Sequence, residues 1–437
     1  MLHSFDYTDG STPEAALIQA SNGNLYGTTV YGGNSSCESS CGTVFEITIS
    51  GTLTTLHSFD GTDGYWPYAA LMQAANGVLY GTTYEGGANG QGVVFAITPE
   101  GKFATPLSFS DPTDGAAPWA GLIQADNGLL YGTTVQGVGS YAGEVFKMTP
   151  SGNLTVLYNF MGSPNGDSPT GTLVQATNGG LYGTTVQGGT GSSCPEFCGT
   201  VFVITPSGKL TTLHSFEGPD GEGPVAGLIQ ASNGGLYGTT SSGGANGDGT
   251  VFEINMGGKF TTLHSFNGTD GAKPQAGLVQ ATDGQLYGMT LIGGAEGYGT
   301  IFKISLDGNL TTLHSFNGTD GASPAATLIQ ATDGNFYGTT GAGGASNGGT
   351  VFSFSAGLAP FIRTVPAAGK VGAAVKILGT NLIGATGVSF NGNMAVFSVD
   401  SSSAITATVP ANATTGKIEV STPSGTLTSN ANFRVTP

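Results

Sequence analysis

The side chains best suited to bind a ligand are two glutamates and five large aromatic residues in the first third of the sequence. Aromatic rings stack on the apolar faces of pyranose sugars, and carboxylates accept hydrogen bonds from sugar hydroxyl groups. Because these residues stand at positions where an otherwise regular sequence varies, they predict a carbohydrate site. The predicted ligand-binding residues are Glu14, Tyr31, Trp66, Tyr68, Tyr84, Glu85 and Trp119.

Two other interpretations of these residues stay open. Ordinary packing, combined with drift between copies of a repeat, would also place aromatic residues at such positions. Alternatively, Glu14 and Glu85 could be the two facing carboxylates that a glycosidase needs. Nothing in the sequence fixes the distance between those two groups.

The four cysteines form two pairs, and each pair lies in a loop that is longer than the matching loops elsewhere. A separation of four residues on a loop meets disulfide geometry, and each bridge would fix its insertion. The two loops belong to the first and fourth copies of a seven-fold repeat, so four thiolates cannot converge on one metal ion. We therefore predict the disulfides Cys37–Cys41 and Cys194–Cys198, no metal site and an oxidising, extracytoplasmic location.

The five histidines and the repeated Asp-Gly turns favour structural roles. Whole repeats separate the histidines, so they cannot form a catalytic triad or a metal cluster, and we expect their rings to pack on an outer strand. Asp-Gly is ordinary turn chemistry. We expect no cofactor; Ca²⁺ is the alternative, although the ligand spacing of a calcium loop is absent. The residues are His3, His57, His214, His264 and His314, and Asp9, Asp63, Asp114, Asp220, Asp270 and Asp320.

All of these residues belong to one internal repeat of 50 to 55 residues, which contains the motif Leu-Tyr-Gly-Thr-Thr or a close variant. Each copy has four strand-sized runs, and an Asn-Gly or similar pair between the first two suits a tight hairpin. This pattern predicts an all-β chain that forms a seven-bladed β-propeller with four antiparallel strands per blade. The motif tyrosines are Tyr26, Tyr80, Tyr131, Tyr182, Tyr237, Tyr287 and Tyr337.

Two further repeated residues predict scaffold contacts. Glycine inside the second strand, such as Gly238, is expected to leave room for an aromatic ring from the neighbouring sheet. The glutamine of Leu-Ile-Gln-Ala, such as Gln230, is expected to join an inter-blade ring of hydrogen bonds if that strand is innermost.

The phase of the repeat predicts how the ring closes. The chain begins with the last strand type, so the N-terminal strand should complete blade seven and remove both sheet edges. We place the propeller at residues 1–356. Residues 357–437 break the repeat and read as short strands separated by turns, which predicts an immunoglobulin-like β-sandwich.

Charge excludes some classes of partner. The formal net charge is −17; before Leu358 the chain has six basic and 26 acidic residues, and from there on it has five basic and two acidic residues. Such an acidic surface repels phosphate backbones, so no nucleic-acid partner is expected. The sequence contains no transmembrane run, so no membrane insertion is expected either.

Two family resemblances follow from these motifs. Leu-Tyr-Gly-Thr-Thr, Gly-Thr-Val-Phe and Leu-His-Ser-Phe across residues 1–356 resemble the GloVer-type tandem repeat of bacterial "choice-of-anchor" proteins, which implies an exported, surface-associated protein. The stretches Val365-Pro366, Ile377 to Leu382 and Val388 to Gly392 resemble an IPT/TIG domain. Such domains act as spacers, dimerisation modules or accessory modules.

We therefore expect an extracellular or cell-surface binding protein, not an enzyme, that recognises a glycan or an extracellular protein on the loop face of blades one to three. One alternative is a structural surface-layer or filament protein that self-associates. Another is a polysaccharide hydrolase or lyase, against which the absence of histidine, arginine and lysine clusters counts.

Overall fold

The computed structural model describes residues 1–33, 37, 40–110, 114–137, 142–191 and 198–436. The regular secondary structure of this part of the chain consists of β-strands, as the sequence predicts. Among these residues there is no helix long and apolar enough to cross a membrane.

The repeats form seven four-stranded antiparallel sheets, here called sheets 1 to 7. The N-terminal strand β1 (His3–Ser4) belongs to sheet 7. Sheets 1 to 3 contain β2 (Ile18–Gln19), β3 (Leu25–Thr29), β4 (Thr43–Ile47) and β5 (Leu53–Ser58); β6 (Met72–Gln73), β7 (Leu79–Thr83), β8 (Val93–Ile97) and β9 (Phe103–Ser108); and β10 (Ile123–Gln124), β11 (Leu130–Thr134), β12 (Glu144–Met148) and β13 (Leu154–Asn159). Sheets 4 to 6 contain β14 (Val174–Gln175), β15 (Leu181–Thr185), β16 (Thr200–Ile204) and β17 (Leu210–Ser215); β18 (Ile229–Gln230), β19 (Leu236–Thr240), β20 (Thr250–Ile254) and β21 (Phe260–Ser265); and β22 (Val279–Gln280), β23 (Leu286–Thr290), β24 (Thr300–Ile304) and β25 (Leu310–Ser315). Sheet 7 adds β26 (Ile329–Gln330), β27 (Phe336–Thr340) and β28 (Thr350–Phe354) to β1.

The second strand of each sheet is buried along its whole length, which explains its small and apolar residues. In sheet 5, a Cβ on Gly238 would lie 2.6 Å from Cζ of Phe252 and 2.7 Å from Cδ2 of Leu228. Phe252 lies on β20, the adjacent strand of the same sheet. The expectation that glycine makes room for an aromatic ring is thus confirmed, but the ring does not come from the neighbouring sheet. The cross-strand pairing places it directly opposite the glycine.

The N-terminal strand closes the last sheet, as predicted. β1 pairs with β28 in antiparallel register, with His3 opposite Val351 and Ser4 opposite Thr350. A core cluster that contains Phe5, Leu17 and Tyr337 then joins sheet 7 to sheet 1. The start of the repeat and its end therefore share both a hydrogen-bonded ladder and an apolar core.

The predicted glutamine ring is present. Each glutamine Oε1 accepts a hydrogen bond from a backbone N–H of the preceding sheet, and the bond between Thr332 and Gln19 connects sheet 7 to sheet 1. The bonds are therefore side chain to backbone, and they link all seven sheets in turn. The donor and acceptor pairs, at 2.8–3.1 Å, are Ser21 and Gln73, Ala75 and Gln124, Asp126 and Gln175, Thr177 and Gln230, Ser232 and Gln280, Thr282 and Gln330, and Thr332 and Gln19.

The C-terminal segment forms two four-stranded sheets and one parallel pair around a core of its own. The predicted boundary at 356/357 falls between β28 and the first of these strands. The first sheet has the order β29-β31-β35-β34, the second β33-β32-β36-β37, and β30 pairs with β38. The strands are β29 (Arg363–Val365), β30 (Ala368–Lys370), β31 (Ala374–Leu378), β32 (Gly387–Phe390), β33 (Asn393–Met394), β34 (Phe397–Val399), β35 (Ala404–Thr408), β36 (Ile418–Thr422), β37 (Gly425–Thr428) and β38 (Arg434–Thr436).

The C-terminal segment packs against the repeat at the end of the ring where the innermost strands finish. The backbone N–H of Phe361 donates to O of Thr332 at 3.0 Å. Ser403 Oγ donates to O of Asn22 at 3.0 Å. Thr332 belongs to sheet 7 and Asn22 to sheet 1, so the C-terminal segment contacts both of the sheets that meet where the ring closes.

Candidate functional site

The residue that follows the repeated proline lies at the axis of the ring. There it lines a cavity of about 150 Å³ to which all seven repeats contribute. Three predicted site residues, Glu14, Tyr68 and Trp119, line this cavity. The equivalent residues of repeats four to seven complete its rim. They are smaller than Tyr68 and Trp119 and, unlike Glu14, carry no charge: Thr170, Val225, Gln275 and Ala325.

Paired loops hold these side chains in place. The segment before the proline pairs with the segment after the second strand, as between Tyr65 and Glu85. Trp66, directly before Pro67, has a φ of 60°, a left-handed conformation that non-glycine residues adopt rarely. This bridge brings the two loops to the same face of the sheet. The N–H of Tyr84 also donates to O of Trp66 at 3.0 Å.

The aromatic residues form one connected cluster whose centre is a stacked pair. The rings of Tyr68 and Trp119 lie 4.2 Å apart, with an angle of 8° between their planes. Tyr84 places its ring edge-to-face against both, with centroid distances of 5.9 Å to Tyr68 and 5.4 Å to Trp119. Because the two stacked rings cover one face of each other, each has only its other face for a ligand.

Trp66 and Tyr31 extend this cluster away from the cavity lining. Trp66 makes edge contacts with Tyr31, at 6.2 Å, and with Tyr65, at 4.9 Å. Its indole Nε1 is buried and has no hydrogen-bond partner among the described residues. Trp66 joins the rest of the cluster through Tyr84, whose ring lies 6.5 Å from its own.

The two glutamates occupy different surroundings. Glu14 is half-buried in the cavity lining, and burial raises the pKa of its carboxyl. Within the described part of the chain its carboxylate has no hydrogen-bond or ion-pair partner, so its oxygens are open to a ligand. Glu85 lies outside the lining, and its Oε2 accepts a hydrogen bond from the Tyr65 hydroxyl at 2.5 Å.

These carboxylates also change the titration of the neighbouring phenols. The hydrogen bond to Glu85, with burial, raises the pKa of Tyr65 to about 12. Burial raises the pKa of Tyr68 strongly, and the hydrogen bond with Tyr31 and the charge of Glu14 act in the same direction. The raised pKa values keep the phenols of Tyr65 and Tyr68 protonated at neutral pH, so these hydroxyl groups remain hydrogen-bond donors.

One of the two predicted disulfides is present. Cys37 and Cys41 are bonded, with 5.9 Å between their Cα atoms. Cys198 is also disulfide-bonded, but Cys194, its predicted partner, lies outside the described residues. In the ranges that the structure covers, no group of three or more His, Cys, Asp or Glu side chains could hold a metal ion.

The histidines pack on the outer strands, as predicted, and each also pairs with the aspartate of the next turn. In sheet 1, His57 Nε2 lies 2.7 Å from Asp63 Oδ2, and the ring lies edge-on to Phe59. The other four pairs, at 2.7–2.9 Å, are His3 with Asp9, His214 with Asp220, His264 with Asp270, and His314 with Asp320. In five of the seven sheets, these side chains connect the last strand to the loop that follows.

Comparison with protein families supports the resemblance stated for the repeats. The model of the Gloeobacter/Verrucomicrobia repeat matches residues 1–197 and 190–373. The chain belongs to this family. No curated protein matches the sequence.

Solved structures show which fold this Gloeobacter/Verrucomicrobia repeat protein adopts. Virginiamycin B lyase from Staphylococcus aureus is 15% identical, with a TM-score of 0.51 over 79% of this chain and 95% of that one. A streptogramin B lyase is also 15% identical, with a TM-score of 0.52 over 80% of this chain and 95% of that one. At this identity the likeness shows the shared β-propeller fold.

Sequence reasoning missed some of what surrounds the site in this Gloeobacter/Verrucomicrobia repeat protein. Tyr65 holds Glu85, and the proline-following residues of all seven repeats meet at one axial cavity. The axial cavity has a sequence signal, because the position after the proline varies most within an otherwise regular repeat. The contact between Tyr65 and Glu85 has none, since it depends on how two loops pair.

Proposed function

We propose that the chain is an exported carbohydrate-binding protein, a closed seven-bladed propeller whose axial cavity receives a neutral glycan. The observation that carries this proposal is the asymmetry of the rim. Glu14, Tyr68 and Trp119 occupy consecutive repeats, whereas the four other repeats present Thr, Val, Gln and Ala at the same position. A scaffold role alone would not require three of the seven rim positions to differ in this way.

The small cavity favours the end of a sugar chain as the ligand. Ligand sites usually measure about 300–1,000 Å³, and this cavity measures about 150 Å³. We therefore expect one terminal sugar unit to enter, with its apolar face against the exposed face of the Tyr68–Trp119 pair. Glu14 would accept hydrogen bonds from the sugar hydroxyl groups, which fixes orientation.

Charge favours neutral over acidic glycans. The repeat part of the chain has a formal charge of −20, from six basic and 26 acidic residues. Such a surface repels carboxylated or sulfated polysaccharides. Burial without a cationic partner already disfavours the ionised form of Glu14, so a second negative charge in the cavity would be strongly unfavourable.

We further propose that residues 357–437 are an immunoglobulin-like domain of the IPT/TIG type that acts as a spacer. The two four-stranded sheets around a shared apolar core support this proposal. Export is supported by the Cys37–Cys41 disulfide, because such bonds persist in oxidising compartments.

The test is titration of the whole chain with neutral and acidic oligosaccharides. Tyr68→Ala should weaken binding of a neutral glycan, whereas Gln275→Ala, at the equivalent position across the ring, should leave it nearly unchanged. Equal effects of both substitutions, or preference for acidic glycans, would contradict the proposal. Appearance of cleavage products would favour the hydrolase or lyase alternative, and filaments in electron micrographs without glycan binding would favour the structural one.

A further inference from the structure

The two arginines of the chain, Arg363 and Arg434, both lie in the C-terminal segment and both contact the repeat. Arg434 pairs with the carboxylate of Asp126. Arg363 donates through Nη2 to the backbone oxygen of Gln19. The two side chains therefore face the same end of the ring but meet different groups there.

Arg363 is a half-buried cation without an acidic partner among the described residues. Its Nε is buried and has no hydrogen-bond partner. No acidic side chain of the described residues lies within 4.0 Å of its guanidinium, in contrast to Arg434. Burial lowers the pKa of Arg363 to about 10, so the group still carries its proton at neutral pH. An uncompensated buried charge is strongly unfavourable unless a partner neutralises it.

A cavity of about 340 Å³ lies beside this group, between the repeat and the C-terminal segment. It is separate from the aromatic cavity, because the innermost strands run between the two. Residues 14–16 line the aromatic cavity, whereas Ile18 and Gln19, which form the innermost strand β2 just after them, line this one. Apart from Arg363 and glutamines that already belong to the inter-blade ring, the walls are mostly apolar and include Ile18, Leu71, Met72, Val365 and Pro366.

We propose that this cavity binds a small carboxylic acid with an apolar body. The guanidinium lies in the cavity lining, and its accessible N–H groups can donate to the oxygens of a carboxylate. Gln19 O accepts a hydrogen bond from Nη2 and so occupies one of the five guanidinium hydrogens. The carboxylate supplies the missing counter-charge, and the apolar body of the acid packs against the apolar walls of the cavity. A cavity of this volume is within the range of ligand sites, about 300–1,000 Å³.

The probes are benzoate and its neutral amide, benzamide, titrated into the whole chain by calorimetry at constant ionic strength. Benzoate should bind at millimolar concentrations or better, and benzamide should bind at least about tenfold more weakly, since it lacks the charge. Arg434→Gln is the matched control, because it removes an interface arginine that already has a carboxylate partner. It should bind benzoate like the parent chain.

Arg363→Met should lose benzoate binding, and Arg363→Lys should retain it only in part, because a lysine has the charge without the planar fork. If Arg363→Met does not fold, the comparison of benzoate with benzamide on the parent chain still decides. Absence of benzoate binding, equal binding of benzamide, or unchanged binding by a folded Arg363→Met would overturn the proposal. The aromatic cavity is not involved, so this outcome is independent of the glycan proposal.

Discussion

Replacing Gly238 with alanine should destabilise the propeller, because the new Cβ would overlap two side chains. The Cβ would lie 2.6 Å from Phe252 and 2.7 Å from Leu228, both of which are buried. Ordinary van der Waals contact begins near 3.4 Å, so each neighbour must move by roughly 0.7–0.8 Å. Overpacking of this kind in a dense core costs about 1–3 kcal/mol.

An opposing effect of the same substitution reduces this figure. Alanine restricts the unfolded chain more than glycine, which stabilises the folded state by about 0.4–1 kcal/mol where the backbone permits it. We therefore expect a net loss of about 1–2 kcal/mol in the free energy of unfolding. Gly257→Ala is the matched control, because this turn residue of the same repeat is exposed and its nearest neighbour would lie 3.3 Å away.

Denaturant titration followed by the fluorescence of the two tryptophans measures both variants. The reasoning is refuted if Gly238→Ala lies within about 0.5 kcal/mol of the parent chain, the usual size of a neutral surface substitution. It is equally refuted if the two variants lose the same stability, since the overlap with Phe252 would then have no energetic consequence.

Three more predictions concern closure, cross-links and pH. Deleting residues 1–7 removes β1 and the buried Phe5, exposes the edge of β28, and should lower the thermal midpoint markedly or cause aggregation; an unchanged midpoint would mean that the ring closes otherwise. Peptide mapping without reductant should find Cys37–Cys41 and Cys194–Cys198 and no free thiol, with each tiny loop contributing at most about 2 kcal/mol; stoichiometric zinc with four reactive thiols would contradict this. Burial raises the pKa of Glu14, so the folded state should lose stability as pH rises from near 4.5 through that raised value. Glu14→Gln should remove this loss. If the free energies of unfolding of the parent chain and the variant change equally with pH across that interval, the result would count against a buried carboxyl at Glu14.

The repeat made most of the fold predictable from the sequence. Seven copies of one pattern constrain strand order, the closing strand and the glutamine ring together, because a contact made in one repeat recurs in all. The position of the aromatic ring near Gly238 was harder to predict. A glycine reveals that space is needed but not which strand fills it, and the register places Phe252 of the same sheet there.

The histidine–aspartate pairs could have been found by comparing the repeats with one another. Repeat four replaces both partners at once, and Asn165 Nδ2 donates to the Tyr158 hydroxyl at 2.6 Å where five other repeats pair His with Asp. This internal covariation is a signal of contact between two positions. Each residue taken alone has an ordinary structural explanation, so the signal lies only in the comparison between repeats.

The details of the candidate site were beyond the sequence. That Tyr68 and Trp119 stack on each other depends on side-chain rotamers in two adjacent repeats. That Arg363 meets Gln19 depends on how the C-terminal segment docks on the ring, for which neither part of the chain has a sequence pattern. Variation within the repeat did point to a position on the axial cavity, since three of the seven predicted residues line it.

The measurement that tests the glycan site most directly is a pair of free energies on one variant, Trp119→Ala. The account predicts that a neutral glycan binds the parent chain and that the variant loses about 2 kcal/mol or more of binding, roughly 30-fold in affinity. The free energy of unfolding should fall by clearly less than the roughly 3–5 kcal/mol expected for truncating a tryptophan in a core, because Trp119 is only half-buried. A loss of stability in that full range, together with no glycan binding by the parent chain, would contradict the account and make the aromatic cluster part of the scaffold.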